Sequence, residues 1–265
     1  MSTFNVDSTD GPPVVALHGL FGSPADYQAV AEPLKQRLHC PWLQGHGAAG
    51  HSQVKTQPED AFAAEVDRLA AMIAALDRGP AVIAGYSLGG RLALGLLARH
   101  RRLCAGLVLL STRLAPTEPA ERAARRHSDA QWAAALQQLD AASFAQRWEA
   151  QPVFQCPQTP LQARIEATTG RLRAHDPAAL ARALVDLSLG SMPDFRPALQ
   201  GDLPPVEICV GAADRKFVRQ AELLQQALHG ARCTVVPAVG HRLLHSAPMA
   251  TLAAIRRCFA RCRTP

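Results

Sequence analysis

Five short apolar runs constrain this chain more than any other feature: VVAL (14–17), AVIAG (81–85), GLVLLS (106–111), VEICV (206–210) and CTVVP (233–237). Stretches with helical periodicity separate the first three, starting near Pro24, running from Pro58 to Asp77, and starting again at Leu88. Strands that alternate with helices run parallel, because each helix carries the chain back across one face of the sheet. A parallel sheet is covered on both faces, which explains runs that are mostly apolar rather than strictly alternating. Between Thr112 and about Leu203 the strands stop, and Ala/Arg/Gln/Leu helices broken by Pro119, Pro152, Pro157, Pro177 and Pro193 replace them. The expected architecture is α/β, a mostly parallel sheet flanked by helices, with a core of residues 1–111 and 204–265 and a helical cap inserted over 112–203.

The stretch AGYSLGGR (84–91) is the joint where the second run turns into a helix. A reversal this sharp leaves no room for Cβ atoms, and Gly85 and Gly89 have none. Gly-x-Ser-x-Gly at a strand-to-helix turn is the nucleophile elbow, which lifts the serine hydroxyl above the sheet and aims helical N–H groups at the same place. In such a sheet the partners of Ser87 belong on loops at the carboxyl ends of later strands. VEICV leads into GAAD and so to Asp214, and CTVVP leads into AVGH and so to His241. Each alone could be an ordinary loop residue. Their placement after successive strands makes Ser87, Asp214 and His241 a triad in the chain order of α/β hydrolases. In LHGLFG (17–22) the Leu20 N–H is expected to face Ser87 and to form, with the Leu88 N–H, a two-donor oxyanion hole, while His18 serves as scaffold rather than base. LQGHGAAG (43–50) is expected to be a mobile Gly-rich loop near the site.

Composition excludes several function classes. With 265 residues, 48% hydrophobic and 19% charged, the chain has the make-up of a soluble globular protein. The first thirteen residues are polar, and the longest apolar run, Leu103–Leu110, is too short to cross a bilayer, so the expectation is a cytoplasmic protein without membrane insertion. Seven cysteines with no C-x-x-C pair point to free thiols. A net charge of +6 with 5% aromatics and no basic run interleaved with aromatic residues argues against nucleic acid and for a small anionic ligand, since many arginines fall between residues 113 and 182. HRLLH (241–245) spaces two histidines one turn apart but lacks the glutamate of a zinc helix, and the elbow glycines do not form G-x-G-x-x-G, so neither metal nor cofactor is expected.

Beyond the triad, GYSLGGR (85–91), RRHSDAQWA (125–133), RWEAQPVF (147–154), SLGSMPDFR (188–196) and GAADRKF (211–217) resemble, in order and approximate spacing, the 2-succinyl-6-hydroxy-2,4-cyclohexadiene-1-carboxylate synthases of menaquinone biosynthesis, which are similar to hydrolases in fold. The resemblance implies a cofactor-independent lyase that eliminates pyruvate from 2-succinyl-5-enolpyruvyl-6-hydroxy-3-cyclohexene-1-carboxylate. It implies the same triad, with Tyr86, Arg91, Arg125 and Trp148 as substrate contacts, together with one more arginine, Arg173 or Arg171, where an insertion blurs the register. Arginine forks suit a tricarboxylate, and Arg91 lies one helical turn beyond Ser87. In the implied mechanism His241, oriented by Asp214, makes Ser87 the base that removes a ring proton, and the oxyanion hole stabilises charge developing on a substrate carboxylate. One departure is WLQGHG (42–47), with Trp42 where the family pattern has aspartate. The residues alone leave open a carboxylesterase or C–C bond hydrolase with Ser87 as nucleophile, and a non-catalytic binding protein built on the same scaffold.

Overall fold

A computed structural model describes residues 2–4, 11–48, 60–155 and 159–262. In chain order the elements are β1 (Ser2–Phe4), β2 (Val14–Leu17), α1 (Gln28–Leu34), β3 (Leu38–Cys40), α2 (Ala61–Ala74), β4 (Ala81–Tyr86), α3 (Leu88–Arg99) and β5 (Cys104–Leu110). There follow α4 (Pro119–Gln138), α5 (Ala141–Glu149), α6 (Leu161–Leu172) and α7 (Pro177–Asp186). The chain ends with β6 (Val206–Gly211), α8 (Arg215–Ala227), β7 (Arg232–Val236), α9 (Leu243–Ser246) and α10 (Pro248–Cys262). The strands form one sheet in the order β1-β3-β2-β4-β5-β6-β7, parallel except for β1, which pairs antiparallel with β3. All five apolar runs are strands. The sheet also contains β1 and β3, for which the apolar pattern offers no sign. The helix expected from Pro58 begins at Ala61, and residues 58–59 lie outside the described residues.

Successive strand residues point to opposite faces, and each face builds its own core. Val15, Leu17, Ile83, Leu107, Leu109 and Ile208 pack with Phe62 and Leu69 of α2 and Leu92 and Leu96 of α3. Val14, Val82, Val108 and Leu110 pack on the other face with Val30 of α1 and Leu252 and Ile255 of α10. Each such side chain removed from water contributes about 1.5–3 kcal/mol before entropy is counted. Phe21, Phe144, Trp148, Leu172, Leu180 and Leu184 form a third cluster that joins the helices inserted between β5 and β6 to the loop after β2. Of the segment expected to belong to the cap, Leu187–Leu199 packs differently: Leu187, Met192, Phe195 and Leu199 join the first sheet core. Within the insertion, α5 and α7 start on Asp140 and Asp176, whose carboxylates accept the N–H groups of Ala142 and Ser143 and of Ala178 and Ala179. No helix among the described residues is long and apolar enough to cross a membrane. Because β2, β4, β6 and β7 run parallel, the residues that follow them all emerge at one edge of the sheet.

Candidate active site

Ser87 joins β4 to α3 with φ 51° and ψ −103°, a conformation L residues avoid. It is held there by its N–H, which donates to Leu110 C=O at 2.9 Å, and by two glycines that let backbones touch. A Cβ on Gly85 would lie 2.4 Å from Gly89 C=O, and one on Gly89 only 2.1 Å from Leu17 C=O. The Gly89 N–H donates to His18 C=O at 3.1 Å, which pins the start of α3 against the loop after β2. Asp214 caps α8 by accepting the Phe217 N–H at 3.2 Å through Oδ1, and its Oδ2 accepts from His241 Nδ1 at 2.9 Å. The Ser87 hydroxyl lies 3.2 Å from His241 Nε2, within reach to donate its proton. The imidazole is clasped by Phe217, with ring centres 4.3 Å apart, and by Tyr86 at 5.8 Å. Asp214 and His241 are both 6% exposed, so little water competes for the bond that orients the imidazole.

Leu20 and Leu88 both line the cavity beside Ser87, and among the described residues neither N–H has an acceptor within the protein. His18 is fully buried and donates through Nδ1 to Gly19 C=O at 2.8 Å while Nε2 accepts the Leu43 N–H at 3.3 Å. Burial lowers its pKa to about 4. It is a scaffold residue, facing the 43–47 loop instead of the serine. That loop is expected to be mobile, yet its described part is locked in place: Leu43, Gln44 and His46 are buried, and Gln44 Nε2 donates to Asp186 at 2.9 Å. Residues 49–50 of the same motif lie outside the described residues. Trp42 lies half-buried, edge-on to His18 and His175, with ring centres 6.1 and 6.0 Å away.

The cavity measures about 540 Å³ and its wall carries Arg91, Arg113, Arg125, Arg171, Arg215, Lys216 and Arg242 against the carboxylates of Asp26 and Asp214. Arg91 extends from α3, and burial, with Arg125 and Arg113 nearby, pulls its pKa to about 10 despite Asp129. It donates to Leu187 C=O at 2.9 Å, and among the described residues no carboxylate forms an ion pair with it. Arg125 also reaches the cavity but is already engaged, paired with Asp129 at 2.8 Å. Tyr86 and Trp148 supply aromatic wall, Trp148 set 4.9 Å from Phe21 and 5.4 Å from Phe154. Of the two candidates for the further arginine, the structure places Arg171 on the wall, 4.0 Å from Asp26. Arg173, expected as a substrate contact, instead caps the end of α6 with its side chain in solvent, away from the cavity.

Arg113, Lys216 and Arg242 also line the site, although sequence reasoning did not single them out. Lys216 stands at the cavity mouth, where partial burial and then Arg113 and Arg125 lower its pKa. Arg242 follows the triad histidine directly, an adjacency that could have drawn attention. Its guanidinium pairs with Glu149 of α5 and donates to Thr168 Oγ1 of α6 at 3.1 Å. Thr168 in turn donates to Glu149 at 2.7 Å, and Arg164 stands 3.5 Å from the same fully buried carboxylate. The loop that carries His241 is thus tied to two inserted helices.

An elbow serine, a histidine and an aspartate at the carboxyl edge of a mostly parallel sheet define a recognised class of enzyme scaffold. The chain belongs to the alpha/beta hydrolase family, whose model it matches over residues 14–255. Within that family it resembles 2-succinyl-6-hydroxy-2,4-cyclohexadiene-1-carboxylate synthases. The one from Yersinia pseudotuberculosis serotype O:1b (strain IP 31758) is 33% identical over 227 residues, covering 83% of this chain and 78% of that protein. The one from Enterobacter sp. (strain 638) is 29% identical over 246 residues, 92% and 90% of the two chains. Among solved structures, MenH from S. aureus superposes with a TM-score of 0.88 at 23% identity, covering 99% of this chain and 98% of that one. A thermophilic esterase from Thermogutta terrifontis reaches 0.78, also at 23% identity, covering 99% of each chain. At such identities the structural likeness concerns the fold alone.

Proposed function

We propose that this chain is a carbon–oxygen lyase of menaquinone biosynthesis that eliminates pyruvate from 2-succinyl-5-enolpyruvyl-6-hydroxy-3-cyclohexene-1-carboxylate. The observation that carries the reading is Arg91, a partly buried guanidinium one turn from Ser87 with no ion-paired carboxylate among the described residues, in a wall that adds Arg113, Arg171, Lys216 and Arg242. Burial takes water from this guanidinium and the nearest carboxylate, Asp129, is paired with Arg125 instead, so an anionic substrate supplies the partner Arg91 lacks. An enzyme for simple neutral esters has no use for this charge. Three substrate carboxylates would be shared among these cations, and the helices inserted over 112–203 would act as a cap, in a cytoplasmic enzyme.

His241, held by Asp214, takes the Ser87 proton, and the Ser87 oxygen removes the proton on ring carbon 2. Those electrons form the 2,3 double bond, the 3,4 double bond shifts to 4,5, and the bond from carbon 5 to the enolpyruvyl oxygen breaks. The enolate leaves and is protonated to pyruvate. Carbon 2 bears the succinyl ketone, so charge develops on that ketone oxygen rather than on a carboxylate, and the Leu20 and Leu88 N–H groups are suited to receive it. No covalent adduct forms on Ser87.

Supplying the cyclohexene precursor to the purified protein should release one pyruvate for each diene formed, followed by absorbance. The triad geometry also suits acyl transfer, with the Ser87 hydroxyl 3.2 Å from His241, so nitrophenyl esters must be measured beside it. Ester hydrolysis as efficient as pyruvate release, with an acyl group trapped on Ser87, would replace the lyase reading with the esterase one.

A further inference from the structure

Phe21, the residue after Leu20, holds a left-handed backbone with φ 59° and is gripped at both of its backbone polar groups. Its N–H donates to His46 Nε2 at 3.2 Å, and its C=O accepts from His175 Nε2 at 3.3 Å. The two imidazoles are set in opposite tautomers by their other nitrogens. His46 Nδ1 donates to Gln44 C=O at 2.9 Å, which leaves Nε2 an acceptor. His175 Nδ1 accepts the Gly47 N–H at 2.8 Å, which leaves Nε2 a donor. Burial lowers the pKa of both, so each stays neutral and keeps its tautomer. Meanwhile the Phe21 ring is lodged against Phe144 and Trp148 of α5, with centres 5.7 and 4.9 Å away. His46 comes from the loop after β3, whereas His175 comes from the connection between α6 and α7.

We infer that His175 is a positioning residue for the oxyanion hole: its bond to Phe21 fixes the turn that presents the Leu20 N–H, so the hole is complete only when the inserted helices are seated. The turn closes on itself through the Gly22 N–H to Gly19 C=O bond at 3.1 Å, and the histidines add a second restraint at its strained residue; the Phe21 N–H, being taken by His46, is not itself available to an oxyanion. The inference rests on the reading of Leu20 and Leu88 as the hole, but not on which substrate is used.

Two substitutions separate positioning from packing. His175→Asn keeps an acceptor near the Nδ1 position for Gly47 and loses the donor to Phe21, while His175→Gln keeps a donor within reach of Phe21 and loses the acceptor. The readout is the rate at which a fluorophosphonate modifies Ser87: the Oγ–P bond forms, the P–F bond breaks, the serine proton passes to His241, and the phosphoryl oxygen enters the hole. H175N should slow this about ten- to a hundredfold, and H175Q should recover to within about threefold of the native rate. In pyruvate release the same loss should fall on kcat with KM little changed. Equal losses in both variants, a native rate in H175N, an H175N chain that fails to fold where H175Q folds, or a native protein inert to the reagent would each overturn the inference. A native protein that reacts with the fluorophosphonate but releases no pyruvate would refute the lyase reading and leave this test standing.

Discussion

Arg91 and Arg173 have the same side chain and opposite fates. The first is partly buried near Ser87 without an ion-paired carboxylate among the described residues and the second stands in solvent at the end of α6. A charge-assisted hydrogen bond to a substrate carboxylate contributes about 1.5–3 kcal/mol, so Arg91→Ala and Arg171→Ala should each lower kcat/KM for the precursor by roughly ten- to a hundredfold or more. Arg173→Ala should leave steady-state kinetics at the native value, and a loss there equal to that of Arg171→Ala would reverse the assignment of the two. Within the triad, Ser87→Ala and His241→Ala should each remove nearly all turnover, and the double variant should be little worse than either, because residues that act as one unit do not lose activity additively. Circular dichroism would check that the folds survive, and a Ser87→Ala protein releasing pyruvate at the native rate would show that the elbow takes no part.

Between elements, the tie from Arg242 to Glu149 and Thr168 joins the loop after β7 to α5 and α6. Glu149 has no exposure at all and stands beside two guanidinium groups, Arg242 and Arg164. Removing one partner of a buried pair strands the other, which costs about 3–5 kcal/mol. Glu149→Ala should therefore lower the free energy of unfolding in urea by about that much, and a change within the noise of a surface substitution would mean that water already screens the group. Neither this tie nor the His175 bond to Phe21 was legible in the sequence, because both join residues brought together only by the path of the inserted helices. What could be read followed from short-range rules. Five strands announced themselves because short apolar runs dominate them, unbroken in VVAL and AVIAG and interrupted only by Glu207 in VEICV and Thr234 in CTVVP, and Ser87, Asp214 and His241 were found because the ends of such strands share one edge. LHC at β3 is three residues long and carries a histidine, too little for any periodic signal. The sequence could not choose between Arg171 and Arg173 for a related reason: two residues apart at the end of one helix, they differ only in the direction they face, and an insertion hides the register.

Taken as a whole, the molecule carries a net charge of +6 and gathers seven cationic side chains around one cavity. For a trianionic substrate this field raises the encounter rate, and salt weakens it over a screening length of about 10 Å at 0.1 M. The kcat/KM for the precursor should therefore fall steadily as ionic strength rises, whereas that for a neutral nitrophenyl ester should not. Acid should also destabilise the fold. His18, held near pKa 4 by burial, and His245, held near 3 by burial and by Arg171 and Arg242, stay neutral in the folded chain and return to the ordinary value near 6.5 when it unfolds. The unfolded chain then binds more protons, so stability is full above about pH 6.5 and is lost as pH falls toward 4, by about 3 kcal/mol for His18 alone. Melting temperatures measured by calorimetry from pH 7 to pH 4.5 should decline, and a flat profile would contradict the neutral state of these rings.

The pairing of β5 with β6 has a consequence for how the protein is made. Leu107 lies beside Val206, and every inserted helix is encoded between them. At about 5–20 residues per second a ribosome needs several seconds to cross that gap. Throughout that interval the nascent chain carries β5, apolar from Leu107 to Leu110, as an open edge with no neighbour on one side. Aggregation during synthesis should begin at that edge, and a chaperone that shields it need act only until β6 emerges.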